Sequence, residues 1–267
     1  MQEYKPEISG RELNLYMARY FLEVAYHGAG YSGFQVQENA NSVQAEVEKA
    51  FAVFFRETIQ MTGSSRTDTG VHAFQNFFHF DFSGPISATA LYHINAILPD
   101  DIAVRNLYLV HPEDHCRFDA SSREYHYYIH QKKDPFLRGR SYYYPYALDM
   151  EKLQAAAKIV KGYIDFTTFS KRNTQAKTPL CTVSKSVWLQ NESGYVYQVK
   201  ANRFLRGMVR GLVGTMLQVG RGKTTMDEFI SIVESKDCTE ADFSVAAHGL
   251  FLVSVNYPEN ILVSRLE

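Results

Sequence analysis

Long apolar runs are missing from this 267-residue chain, and so are cysteine pairs. No stretch approaches the roughly 20 apolar residues that a membrane-spanning helix needs. The opening residues, MQEYKPEISGREL, have no hydrophobic signal core. The three cysteines, Cys116, Cys181 and Cys238, stand far apart and form no CxxC pair. That excludes zinc-knuckle and zinc-deaminase spacings, and an odd, sparse set suits a reducing compartment. A soluble, cytoplasmic protein is expected. An excess of either charge is also missing, because 28 Lys and Arg stand against 29 Asp and Glu.

What is present is a core-forming composition. Hydrophobic residues make up 45%, and there are 18 Tyr and 18 Phe. On those numbers a folded core, not disorder, is the default reading. Aromatics on loops or polar faces are candidates for stacking on planar ligands. The near-zero net charge also hides an uneven distribution. From Lys171 to Arg210 eight basic residues face one acid, Glu192, and from Asp227 to Asp242 six acids face Lys236. A concentrated basic face on a neutral protein can still steer a nucleic acid. Two solvated faces of opposite sign would give the same counts.

Residues 1–15 read as a loosely held polar arm. MARYFLEVAY (17–26) reads as a strand, followed by a glycine-rich loop, and Ser42 can cap a helix over VQAEVEKAFAVFF. TIQMT is a short strand. Residues 74–82 alternate, with Phe74, Phe78, Phe80 and Phe82 on one face and Gln75, His79 and Asp81 on the other, which predicts a half-buried strand. A helix is expected at 87–98 and strands at 101–110 and 123–131. Further on come a helix at 150–163, a hairpin at 180–190 and 195–201, helices at 204–220 and 227–235, and a closing strand at 249–257. Strands and helices alternate in both halves without long buried parallel runs. That predicts two α+β subdomains with mainly antiparallel sheets, 16–113 and 114–267.

The expected helix at 204–220 carries two stripes. Arg203, Arg206 and Arg210 follow i, i+3, i+7 spacing, and Gly207, Gly211 and Gly214 lie beside them. Interior helical glycines cost about 1 kcal/mol each against alanine, so another backbone should approach closely there. Arginines bordering such a crowded surface need partners. A buried anion is one possible partner, and solvent is the other.

SSRTDTGVHAF (64–74) places one carboxylate, Asp68, in a polar stretch without apolar periodicity. A turn is the commonest fate of such a cluster. A metal site pairing Asp68 with His72 would need a helix, which the glycine and threonines oppose. Asp-Thr-Gly is also the tripeptide of aspartic proteases, but those require two carboxylates sharing a proton. One DTG occurs here, so only a homodimer could supply the second. The fourth possibility is a single carboxylate nucleophile, kept ionised by a nearby cation.

RTDTGVHA (66–73) resembles the signature of the tRNA pseudouridine synthases of the TruA family, with Ser65 where glycine is usual. Four further blocks agree in order: CRFDASSREYHYYI (116–129), DFTTFSKRN with KTP (165–179), FLRGMVRGLVGTMLQVGRGK (204–223) and AAHGLFLVSVNY (246–257). In the last, His248 stands where proline is common. The resemblance implies the pseudouridine synthase fold, in which the two subdomains join into one extended sheet with flanking helices.

The same resemblance implies an isomerisation without a cofactor or metal. Uracil leaves C1′ of a uridine, rotates and rejoins through C5, in the tRNA anticodon stem-loop at positions 38, 39 and 40. It places the nucleophile at Asp68, the arginine that pairs with it at Arg210, the tyrosine against the base at Tyr125 and the base-flipping arginine at Arg66. Arg117, Phe118, Lys177, Arg203 and Arg206 become candidate tRNA contacts, and a homodimer is expected. A catalytically silent tRNA-binding protein on the same scaffold would share most of these residues.

Overall fold

The computed structural model describes residues 17–87, 89–172 and 177–265; the expected arm at 1–15 lies outside them. In chain order the elements are β1 (Met17–Tyr26), α1 (Val43–Phe55), β2 (Thr62–Gly63), β3 (His72–Ser83), α2 (Thr89–Ile97), β4 (Ile102–Val110), β5 (Ser122–His130) and β6 (Tyr142–Tyr143). There follow α3 (Met150–Val160), β7 (Val183–Gln190), β8 (Gly194–Ala201), α4 (Met208–Gly220), α5 (Met226–Glu234), β9 (Leu250–Asn256) and β10 (Ser264–Arg265). The fold is α+β.

All ten strands form one sheet in the order β10-β4-β1-β3-β9-β5-β8-β7, with β2 on β3 and β6 on β5. Most neighbours are antiparallel; β3–β9 and β5–β6 are parallel. β9 is the hinge piece of the sheet. Its Leu252 is in register with Ala73 of β3 on one side and Tyr125 of β5 on the other. Strands lie about 4.8 Å apart, so the backbones of Ala73 and Tyr125 are roughly 10 Å apart in the middle of the sheet.

Local signals account for most helix limits. Ser42 caps α1 by accepting from the N–H of Ala45, and Val43, Val47, Ala50 and Phe51 bury the i, i+4, i+7, i+8 stripe. Thr225 and Glu228 close a reciprocal capping box on α5. α1 packs on α2; α3 packs on α4, α5 and β7.

Three expectations change. β3 is longer than 74–82, and its middle, Asn76 to Phe80, is buried on both faces, whereas Phe74 is exposed. The strand crosses the centre of the sheet, so elements cover it from both sides and alternation fails. TIQMT contributes only Thr62 to a strand. The third change matters for the site. α4 starts at Met208, after Gly207 turns the chain at φ 76°. Arg203 and Arg206 therefore precede the helix, and no three-arginine helical stripe exists.

Candidate active site

The Asp68 loop is held from several directions. The Asn76 side chain donates to the Ser65 carbonyl at 2.8 Å and to the Tyr26 hydroxyl at 3.3 Å. The Tyr26 hydroxyl shares a 2.8 Å hydrogen bond with Thr67 Oγ1. The Phe34 N–H donates to the Thr67 carbonyl at 3.1 Å, and the Val71 N–H closes a turn on the Asp68 carbonyl at 3.1 Å. Gly70 takes φ 78°, which glycine adopts without strain. The motif is thus a turn, fixed through the carbonyls of Ser65, Thr67 and Asp68 and the N–H groups of Ser64 and Val71.

The glycine-rich loop after β1 is the other wall. A Cβ on Gly28 would stand 1.9 Å from the Val71 carbonyl oxygen. The Gly28 N–H donates to His72 Nδ1 at 3.0 Å, which leaves Nε2–H to donate to the His248 carbonyl at 3.2 Å. Burial, helped by neighbouring His27, lowers the His72 pKa to about 4. His72 is therefore a neutral tie between three segments and does not join Asp68 in a metal site.

Tyr125 faces this loop from β5. Its side chain is buried, and it meets Phe204 edge-on at 5.0 Å between ring centroids. Burial pushes its hydroxyl well above the ordinary tyrosine range; Arg123 opposes this and the Asp68 carboxylate adds to it. Asp68 thus lies near enough to Tyr125 for its charge to act on the hydroxyl. Asp68 itself is half-buried.

Arg210, on the first turn of α4, does not form the expected ion pair. Among the described residues no salt bridge within 4.0 Å joins it to Asp68. Its Nε and a terminal nitrogen donate to the Val245 carbonyl at 2.9 and 2.7 Å, and the same terminal nitrogen reaches the Phe243 carbonyl at 3.2 Å. The predicted need for a partner is met by carbonyl oxygens. The predicted close backbone approach is also present. A Cβ on Gly214 would lie 2.0 Å from the Asp242 carbonyl oxygen, and one on Gly211 2.7 Å from the Phe243 ring.

Residues 242–249 thus form a strap between Arg210 and the Asp68 loop. Tyr127 donates to the Ala246 carbonyl at 2.6 Å. Ala247 sits against Gly70, where a Cβ would find it at 3.4 Å. His248 accepts from His72. Two signals pointed to the strap: the glycine stripe on α4 and the start of the 246–257 block.

The basic residues divide. Burial, and after it the fields of Arg66 and Arg203, lowers the Arg117 pKa. Arg123 is what gathers them: its guanidinium donates to the carbonyls of Arg117, Ala120 and Asn202 at 2.6–3.1 Å, tying the 117–120 turn to the residue before Arg203. Phe118 is 72% exposed beneath the Arg117 guanidinium. Arg206 and Lys177 are exposed. Lys185 pairs with Glu124 at 2.8 Å and is spent there. Arg123 and Phe204 are the two residues that sequence reasoning passed over, although both lie inside quoted motifs.

A sequence model described as tRNA pseudouridine synthase matches residues 156–258. The tRNA pseudouridine synthase A of Parabacteroides distasonis is 44% identical over 247 residues, covering 92% of this chain and 98% of that one. The chain belongs to the tRNA pseudouridine synthase A family. The family's protein from Bacteroides thetaiotaomicron is 43% identical over 92% of this chain and 93% of its own, and one from Staphylococcus aureus is 36% identical over 92% and 94%. The family's members are isomerases, which removes the dimeric aspartic protease from consideration. No helix among the described residues is long and apolar enough to cross a membrane.

Proposed function

We propose that the protein converts uridine to pseudouridine at positions 38, 39 and 40 of the tRNA anticodon stem-loop, with Asp68 as the nucleophile, as a cytoplasmic homodimer. The observation that carries this reading is the proximity of Asp68 to the buried Tyr125, which lies across Leu252 from Ala73, five residues after Asp68.

The chemistry balances without a cofactor. The N1–C1′ bond of the uridine breaks, a C5–C1′ bond forms, C5 loses a proton and N1 gains one. A stacked base hides C1′ and C6, so the nucleotide must first leave the stack at a cost of a few kcal/mol. Arg66, exposed at the rim of the loop, suits the space vacated by the base. The ring of Tyr125 offers a face for the flipped uracil. Its protonated hydroxyl adds no negative charge beside the carboxylate. Asp68 supplies the nucleophile on a turn tied down through its backbone by Asn76 and Phe34 and through the Thr67 hydroxyl by Tyr26, so little geometry is lost as the reaction proceeds. The Arg66–Arg117–Arg203 group offers positive potential to the flanking phosphates.

The test is release of tritium from tRNA carrying 5-tritiated uridine. Wild-type protein should release it without added metal or nucleotide, and Asp68→Asn should abolish release while retaining tRNA binding. Full activity of Asp68→Asn would overturn the assignment. Mapping pseudouridines at 38, 39 and 40 in the treated tRNA reads the position directly. A binding protein without activity on any tRNA would instead be the silent scaffold.

A further inference from the structure

We infer that His79, His115 and Cys116 form a binding site for one zinc-class divalent cation, separate from Asp68. They are the one cluster of three or more metal-ligating side chains among the described residues, with a ligand atom of each within 4.8 Å of the others. His79 belongs to β3, and His115 and Cys116 to the turn that follows β4. Cys116 Sγ stands 3.2 Å from His79 Nδ1, and the two imidazole rings are 4.5 Å apart. Zinc holds nitrogen and sulfur donors at about 2.0–2.3 Å in a tetrahedron, which spaces the donors about 3.5 Å from one another. The Cys116 N–H also points at His79 Nδ1, at 3.4 Å, which marks that nitrogen as the one carrying its lone pair. A hydrogen-bonded thiol would account for Cys116 beside His79, but not for a second imidazole converging on the same point.

The surroundings suit a cation. Burial lowers the pKa of both imidazoles, which favours the neutral form a ligand needs. The carboxylates of Asp119 and Asp81 lie near enough to His79 to bias it toward positive charge; Arg19, which pairs with Asp81 at 2.7 Å, opposes them. Asp119 accepts from the His115 N–H at 2.6 Å and so fixes that end of the turn. Cys116 is fully buried, but His115 is half-exposed and gives an approach from solvent. Water can take the fourth position.

Without a cation the thiol donates to the Thr62 carbonyl at 3.1 Å. On binding, the S–H bond breaks, a sulfur–metal bond forms and the proton leaves to solvent. One proton released per ion makes the affinity rise about tenfold per pH unit while the thiol is otherwise protonated. The ion would pin the turn to β3 directly beside Arg117 and Phe118, whose ring already lies 4.2 Å from that of His115.

The test uses the full chain, stripped with a chelator and titrated with Co²⁺ under reducing conditions. One Co²⁺ per chain should bind with a thiolate-to-cobalt charge-transfer band and tetrahedral d–d absorption, and Zn²⁺ should displace it. Cys116→Ser should abolish the charge-transfer band and weaken binding more than about tenfold. His115→Ala, at a half-exposed position, should weaken it similarly with the fold intact by circular dichroism, so a poorly folded Cys116→Ser would not end the test. Cys238→Ser should leave the band unchanged. Absence of stoichiometric binding, or a band that survives both Cys116→Ser and His115→Ala, would overturn the inference.

Discussion

Arg210 clasps the carbonyl of Val245 with two nitrogens, at 2.9 and 2.7 Å, and thereby anchors the strap that abuts the Asp68 loop. A lysine could place one ammonium there but not a planar fork. Arg210→Lys should lower the melting temperature and reduce kcat by at least about tenfold with a smaller change in KM. Equal kcat in the two proteins would show that the clasp has no bearing on the reaction.

Tyr125 separates ring from hydroxyl. Because burial and Asp68 keep the hydroxyl protonated, no alkaline limb from it should appear in the pH–rate profile up to pH 9, a bound set by the ordinary tyrosine pKa of about 10. Tyr125→Phe keeps the stacking face; Tyr125→Leu loses it. Stacking of a base on an aromatic ring is worth about 1–3 kcal/mol, so kcat/KM should fall roughly five- to 150-fold further in the leucine variant.

Arg117 and Arg203 share one field, and each should contribute to phosphate binding. Replacing either by alanine should weaken tRNA binding for all sequences alike and flatten the log–log salt dependence by about one unit. Lys185→Ala, whose charge is spent on Glu124, should leave the slope unchanged. Filter binding across a salt series distinguishes the two outcomes.

His72 and His79 are both held near pKa 4, mainly by burial. The unfolded chain binds protons at both between their ordinary value of about 6.5 and 4. Their contribution to stability is therefore complete above pH 6.5 and is lost as the pH falls from there toward 4. Denaturant midpoints should decline over that window, and unfolding near pH 5 should take up about two protons from this pair. Replacing His72 with glutamine should reduce the uptake by about one.

Gly28→Ala would drive a methyl group against the Val71 carbonyl, 1.9 Å from the new Cβ. Backbone must move, and it is the backbone that carries Asp68. Overpacking of this kind costs about 1–3 kcal/mol. Activity should fall further than the lost stability explains, measured well below the variant's melting temperature.

The element pattern was legible because periodicity and capping are local. Ser42 opens α1 where its side chain can cap, and β1 and α1 have the limits read from the sequence. The glycines of α4 announced a close neighbour, and Asp242 and Phe243 are that neighbour. What the sequence concealed is non-local. Nothing in the helical spacing of Arg203, Arg206 and Arg210 reveals that Gly207 turns the chain before the helix starts. An ion pair and a carbonyl clasp place the same demand on an arginine, so composition could not tell Asp68 from Val245 as its partner. The burial of both faces of β3 depends on where the strand sits in the sheet, which is set by β9, far along the chain.

His72, four residues after Asp68, is bonded to a carbonyl 176 positions downstream. Its strand meets β9 through only two residue pairs. On a ribosome the first half of the chain would emerge with its carboxylate motif complete in letters yet without its far wall. Closing so long a loop comes late in folding. The nascent protein therefore cannot act on RNA at the exit tunnel, and competence arrives only when the last central strand is in place.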